Sequence, residues 1–191
     1  MSKVYTIFAL CVLICACTTS PKITEPTQYT RVNQIHSFTL KGKVAVINQG
    51  KRESLNFYWQ QNNADYDIKF TTFLGIEVAR IKGNNQSIDI IADGENYQSN
   101  EPEVLLQEVT GWPIPIRKLA RWITGNYSGV VMSRHDNNKP KKVLARINES
   151  KEWVIEYASY QAHMQLLLPK KITLKQHNNR IVLALHRWQL L

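Results

Sequence analysis

From Phe38 onward, hydrophobic and polar residues alternate with a period of two. Phe38, Leu40, Gly42, Val44 and Val46 fall on one side, with Thr39, Lys41, Lys43 and Ala45 on the other. Leu55, Phe57 and Trp59 then alternate with Asn56, Tyr58 and Gln60, and Tyr66, Ile68 and Phe70 with Asp67 and Lys69. Successive side chains of an extended chain point to opposite faces, so each run predicts a strand with one apolar face. The runs are separated by Asn48-Gln49-Gly50 and Gln61-Asn62-Asn63, and connections this short join antiparallel neighbours. Further strands are predicted over 78–81, 87–92 and around Tyr97, with turns at Gly83-Asn84-Asn85 and Asp93-Gly94. Beyond Gly125 the strand pattern resumes over 130–132, 143–147 and 153–157. It ends in a hairpin pairing Ile172 and Leu174 with Ile181, Leu183 and Leu185 through Asn178-Asn179.

Between Asn100 and Gly125 the period changes. Pro102 suits the first turn of a helix carrying Val104, Leu105 and Val109, and Gly111 suits its end. After Pro115 a second helix places Ile116, Leu119, Ala120 and Ile123 on one face, with Arg117, Lys118 and Arg121 elsewhere. The predicted fold is mostly β with a small α insert, an antiparallel sheet of about ten or eleven strands whose apolar face must be covered. Two short helices are a small cover for so many strands. The expected architecture is therefore an incomplete antiparallel β-barrel enclosing a hydrophobic cavity, with the helices as a lid. A fully packed β-sandwich satisfies the same periodicity. Candidates for the cavity or lid are Phe57, Trp59, Ile68, Phe70, Ile114, Ile116, Leu119, Trp122 and Ile123.

The first sixteen residues follow another rule. A basic start at Lys3 precedes an apolar run over 4–16, shorter than the roughly 20 residues a bilayer span needs. Residues 1–16 read as a secretory signal peptide. They end in Ile14-Cys15-Ala16-Cys17, which has the form of a bacterial lipobox, and Cys17 alone among the three cysteines follows a small residue. Cys17 is the expected lipidation site, and cleavage before it discards Cys11 and Cys15, leaving no pair for an intramolecular disulfide. More than one acyl chain on Cys17 makes a durable anchor. Residues 17–36 are polar, contain Pro21 and Pro26, and read as a lipidated flexible tether; residues 37–191 read as a single domain.

The chain carries 24 Lys or Arg against 15 Asp or Glu, a formal charge of +9. Much of the excess lies beyond Lys139, and it fits either anionic lipid headgroups near the anchor or a plain solvated surface. Nucleic acid is not an expected partner in an exported protein. His36, His135, His163, His177 and His186 show no metal-ligand spacing, and no nucleophile-elbow or paired-carboxylate pattern is present, so no enzyme activity, cofactor or metal is expected. Phe73 and Leu74 form an apolar pair between Thr71-Thr72 and Gly75. Such a pair either folds back onto the core or stands out from it.

Several of these residues together resemble the LolB family of outer-membrane lipoprotein receptors. The most specific stretch is Gly111-Trp112-Pro113-Ile114-Pro115-Ile116, continued by Leu119, Trp122 and Gly125. Gly42, Phe57-Tyr58-Trp59-Gln60, Leu74-Gly75, Trp153, Tyr157 and Trp188 follow the family's order across nearly the whole chain after the lipobox. The resemblance implies an open barrel whose cavity accepts the acyl chains of cargo lipoproteins from the periplasmic carrier LolA and passes them to outer-membrane phospholipid. It also implies a monomeric, non-catalytic body facing the periplasm. The family's functional leucine lies in a Pro-Leu-Gly loop, matched here by Phe73, Leu74 and Gly75, with Phe73 in the proline's place. Proline would have fixed one backbone angle of that loop. A lipocalin-like lipoprotein binding a small hydrophobic ligand is the alternative function.

Overall fold

The computed structural model describes residues 29–48, 51–148 and 151–191; the expected signal peptide, Cys17 and most of the expected tether lie outside the described residues. Six strands come first: β1 (Ser37–Asn48), β2 (Lys51–Asn62), β3 (Asp65–Thr71), β4 (Glu77–Gly83), β5 (Ile88–Ala92) and β6 (Glu95–Ser99). Two helices follow, α1 (Pro102–Thr110) and α2 (Ile116–Thr124). Five strands complete the chain: β7 (Val130–Arg134), β8 (Pro140–Asn148), β9 (Lys151–His163), β10 (Leu166–Gln176) and β11 (Asn179–Leu190).

The eleven strands of the described residues form one antiparallel sheet in the order β6-β5-β4-β3-β2-β1-β11-β10-β9-β8-β7. Hairpins build each half, and the first and last strands join the halves, with Phe38 opposite Leu190 and Val44 opposite Leu183. The sheet stays open, because β6 and β7 are its two edges and do not pair. These are also the strands that flank the helices in sequence. The helical insert therefore spans the gap: α1 packs against β5 and β6, and α2 against β10. The open barrel with a helical lid is thus the architecture formed.

The helices follow their sequence signals with one change of phase. α1 begins with Pro102 in its first turn, ends at Gly111, and buries Pro102, Leu105 and Leu106, with Val109 packed beside them. This is the i, i+3, i+4, i+7 stripe of an amphipathic helix. Val104, expected on that stripe, is 48% exposed, and Leu106 takes the central place. In α2 the buried set is Ile116, Leu119, Trp122, Ile123 and Thr124, and Ala120 is partly buried against the core.

The body also begins earlier than residue 37. Tyr29 and Val32 pack against the core, Ile35 is buried within it, and the Tyr29 hydroxyl donates to the carbonyl of Leu191. Val32–Gln34 form a 3₁₀ turn, with the backbone N–H groups of Thr30 and Arg31 donating to the Gln34 side chain. Residues 29–36, placed in the tether by composition, thus belong to the folded body, because Tyr29, Val32 and Ile35 at threefold spacing present one apolar face.

Candidate functional site

The apolar faces of the strands do not meet one another completely. Beneath the helices lies a cavity of about 380 Å³. Strands β1 to β5 supply Val44, Leu55, Phe57, Trp59, Ile68, Phe70, Ile81 and Ile90 to its wall, and β11 adds Ile181 and Leu183. The roof is Leu106 and Val109 from α1, Trp112 and Ile114 from the connection, and Ile116 and Leu119 from α2. Val46, Glu53, Val78 and Asp93 also line it. These four lie at the ends of β1 and β5 and the beginnings of β2 and β4, so the cavity extends to the end of the sheet that carries the β3–β4 loop.

The opposite end is plugged. Phe38 stacks edge-on against Trp188 at 5.2 Å between ring centroids and lies 6.0 Å from Trp59. The Trp59 indole N–H donates to Gln61 Oε1 at 2.8 Å, and the Gln61 amide donates to the Asn63 carbonyl at 2.8 Å. The side-chain N–H groups of Trp59 and Gln61 are thus paired, whereas the buried Trp188 Nε1 of the same plug has no hydrogen-bond partner among the described residues.

Two contacts hold the lid. Glu103 of α1 and Arg117 of α2 form a two-pronged ion pair, Arg117 Nε to Glu103 Oε1 at 2.8 Å and a terminal nitrogen to Oε2 at 2.6 Å. The carboxylate raises the guanidinium's already high pKa further, so Arg117 stays charged. Behind α2, Trp122 packs against Trp153 at 6.3 Å and its carbonyl accepts a hydrogen bond from the Tyr157 hydroxyl at 3.0 Å. Burial pushes the Tyr157 phenol well above its usual range, which keeps it a donor.

Seven of the nine candidates, Phe57, Trp59, Ile68, Phe70, Ile114, Ile116 and Leu119, converge on the cavity. Trp122 and Ile123 sit on the lid helix but face the packed core behind it. Sequence reading missed Val46, Ile81, Ile90, Leu106 and Trp112 as lining. Strand parity offered the signal for Val46, which shares the apolar face of Val44; the place of Ile81 and Ile90 follows from pairing, Ile81 lying opposite Ile68 and Ile90 opposite Ile81.

The β3–β4 loop stands away from the body. Phe73 is 87% exposed, Leu74 71% and Ile76 61%, so the apolar pair does not fold back onto the core. Thr72 is the hydrogen-bonding centre of the loop. Its backbone N–H donates to the Ile76 carbonyl at 2.9 Å, its carbonyl accepts from Gly75 N–H at 3.1 Å and from the Asn56 side chain at 3.0 Å, and its hydroxyl accepts from Ile76 N–H at 3.3 Å. Gly75 adopts φ 86°, which closes the turn at no steric cost. Three large apolar side chains are thereby displayed on a hydrogen-bonded tip beside the cavity.

The model of the family described as outer membrane lipoprotein LolB matches residues 36–188, nearly all of the body. The chain belongs to the LolB family. The LolB relative from Psychromonas ingrahamii is 30% identical over 190 residues, covering 96% of this chain and 94% of its own. That from Shewanella loihica is 32% identical over 168 residues, covering 87% and 77%. Both are named outer-membrane lipoprotein LolB. Among solved structures, a LolA superfamily protein from Nitrosomonas europaea shares the fold, with a TM-score of 0.55 over 81% of this chain and 86% of its own, at 10% identity. LolB membership makes the protein an outer-membrane receptor for lipoproteins, and no feature of the fold favours the lipocalin alternative. Among the described residues, no helix is long and apolar enough to cross a membrane.

Proposed function

We propose that the protein, anchored through acylated Cys17 after loss of residues 1–16, takes the acyl chains of lipoproteins from the soluble carrier LolA into the cavity beneath α1 and α2. It then releases them into the outer membrane. The observation that carries this reading is the apolar hollow, roofed by two helices and continuous with the end that bears Phe73, Leu74 and Ile76. Burial stabilises acyl chain by about 0.8 kcal/mol per methylene, so exposing three chains of roughly 15 methylenes costs on the order of 36 kcal/mol. Transfer through open water is excluded at that cost. The chains must move from one apolar cavity to another, and direction requires only that each acceptor bind better than its donor. Shape and lining suffice, and no bond is made or broken.

Phe73, Leu74 and Gly75 form the element that enters the bilayer during release. A tip of exposed apolar side chains gains by leaving water for the acyl region, and its end of the sheet is where cargo leaves the cavity. The test is transfer of labelled lipoprotein from purified carrier to liposomes, with and without this protein. Cargo should reach the liposomes only when the protein is present; equal transfer in both arms would overturn the reading.

A further inference from the structure

The outer face of the central sheet, opposite the cavity, is built to be basic. On this face β1 contributes Lys41 and Lys43, β2 Arg52, β10 Lys170, Lys171 and Lys175, and β11 Arg180 and Arg187, while the one acid in the four strands, Glu53, faces the cavity. The charge is concentrated by two interruptions of the strand period. Between Lys41 and Gly42 the pairing of β1 with β11 jumps from Arg187 to Leu185, leaving His186 as an extra residue. Between Pro169 and Lys171 the pairing of β10 with β9 skips Lys170. A bulge lets two consecutive residues face the same way. Lys170 with Lys171, and His186 with Arg187, are accordingly all exposed, between buried neighbours on either side. With strict alternation one member of each pair would point into the core.

The bulges bring these residues beside two lysines of β1. Lys41 lies directly opposite Arg187, and Lys43 and Lys171 both flank Ala184. Like charges facing one another across strands destabilise a sheet, so this grouping works against the fold unless something anionic covers it. Two other basic residues of the outer surface are matched, Lys175 with Glu156 at 2.8 Å and Arg80 with Asp67 at 2.5 Å, while Lys69, beside Tyr58, and Arg52 and Arg180, on either side of Ile47, have no ion-pair partner among the described residues. Among the described residues Lys41 has only the Tyr58 ring, 5.5 Å from its ammonium, on the wall of a shallow depression of about 500 Å³ shared with Arg187.

We infer that this outer face docks onto the anionic phospholipid headgroups of the membrane surface. The patch is extended and made of exposed basic side chains, which matches a diffuse sheet of headgroup charge. The chain also enters the body beside it, since the Tyr29 hydroxyl bonds Leu191, four residues beyond Arg187. Of the proposed function only the anchor at Cys17 is borrowed, and twelve residues from Cys17 to Tyr29 reach at most about 40 Å, which keeps this face near the bilayer.

The experiment is amine-reactive footprinting of the acylated protein in phosphatidylcholine vesicles with and without phosphatidylglycerol. Lys41, Lys43, Lys170 and Lys171 should lose reactivity several-fold in the anionic vesicles, while Lys118 on α2 and Lys141 on β8 do not. The protection should vanish at about 1 M salt, where the Debye length falls to ~3 Å. A Lys43→Glu/Lys171→Glu variant should lose the protection of Lys41 and Lys170 yet keep its cargo transfer within a few-fold. Equal reactivity in both vesicle types would overturn the inference, as would protection conferred by the soluble carrier in neutral vesicles, which would make this a protein-docking face. Neither readout depends on cargo transfer, so failure here and failure of the receptor reading are distinguishable.

Discussion

The ring of Phe57 lies across Gly42, its direct partner on the neighbouring strand: a methyl group added at position 42 would come within 2.6 Å of Phe57 Cζ. The same methyl would meet the Ala184 carbonyl on the other side. An aromatic ring covering a strand glycine shields backbone that a side chain would otherwise cover. Here the arrangement also fixes a wall of the cavity, because Phe57 lines it.

Gly42→Ala should therefore destabilise the protein by about 1–3 kcal/mol, the usual cost of overpacking a well-packed position. Urea denaturation checks it, with the midpoint falling at unchanged slope. An unchanged midpoint would mean that both the Phe57 ring and the β11 backbone at Ala184 give way freely.

Ala92 lines the cavity opposite Ala79, which in turn faces Phe70. Ala92→Phe should fill the hollow and reduce binding of acylated cargo at least tenfold, while thermal stability stays near that of the parent, because the added ring enters existing space. Undiminished cargo binding, measured by co-purification with acylated lipoprotein, would place the acyl site elsewhere.

Leu74→Glu puts a charge on the exposed tip without touching the cavity lining. Cargo should still leave the carrier at close to the normal rate, but its arrival in liposomes should fall several-fold. Separate assays of carrier release and membrane insertion resolve the two steps, and normal insertion would remove Leu74 from the mechanism.

Asp67 accepts two hydrogen bonds from Arg80, at 2.9 and 2.5 Å, and this guanidinium holds its carboxyl below the usual range. A group with a depressed folded pKa contributes stability above its unfolded value, here 3.8, and loses it as pH falls through the folded one. Asp67→Asn should consequently be less stable than the parent at neutral pH, with the difference shrinking as pH drops below about 4. Parallel pH series of thermal melts give the comparison; a constant difference across the acid range would show that the pair is not linked to folding.

Much of the cavity was legible in the alternation of β1 to β3, because a strand's period of two assigns each residue to a face without reference to anything distant. Phe57, Trp59, Ile68 and Phe70 needed no more than that. Leu106 was harder to read, since Val104, Leu105 and Leu106 are equally apolar and only packing against the strands sets the helix phase. Trp122 and Ile123 show the same limit from the other side. They lie on the correct helix, but the part of α2 that reaches past the hollow depends on where β9 and β10 lie beneath it.

The sequence by itself determined that the chain makes strands with one apolar face, two short amphipathic helices between them, and an apolar loop at 73–74, because each is a local pattern that backbone geometry converts directly into shape. Tertiary structure alone decided that the sheet stays open and leaves a hollow under the helices, that Phe73 and Leu74 point outward, and that Lys170, Lys171, His186 and Arg187 gather on one outer face. The physical reason is that curvature, bulges and cavity volume arise from pairing between residues far apart in the chain, and the local period is the same whether two apolar faces meet or remain apart.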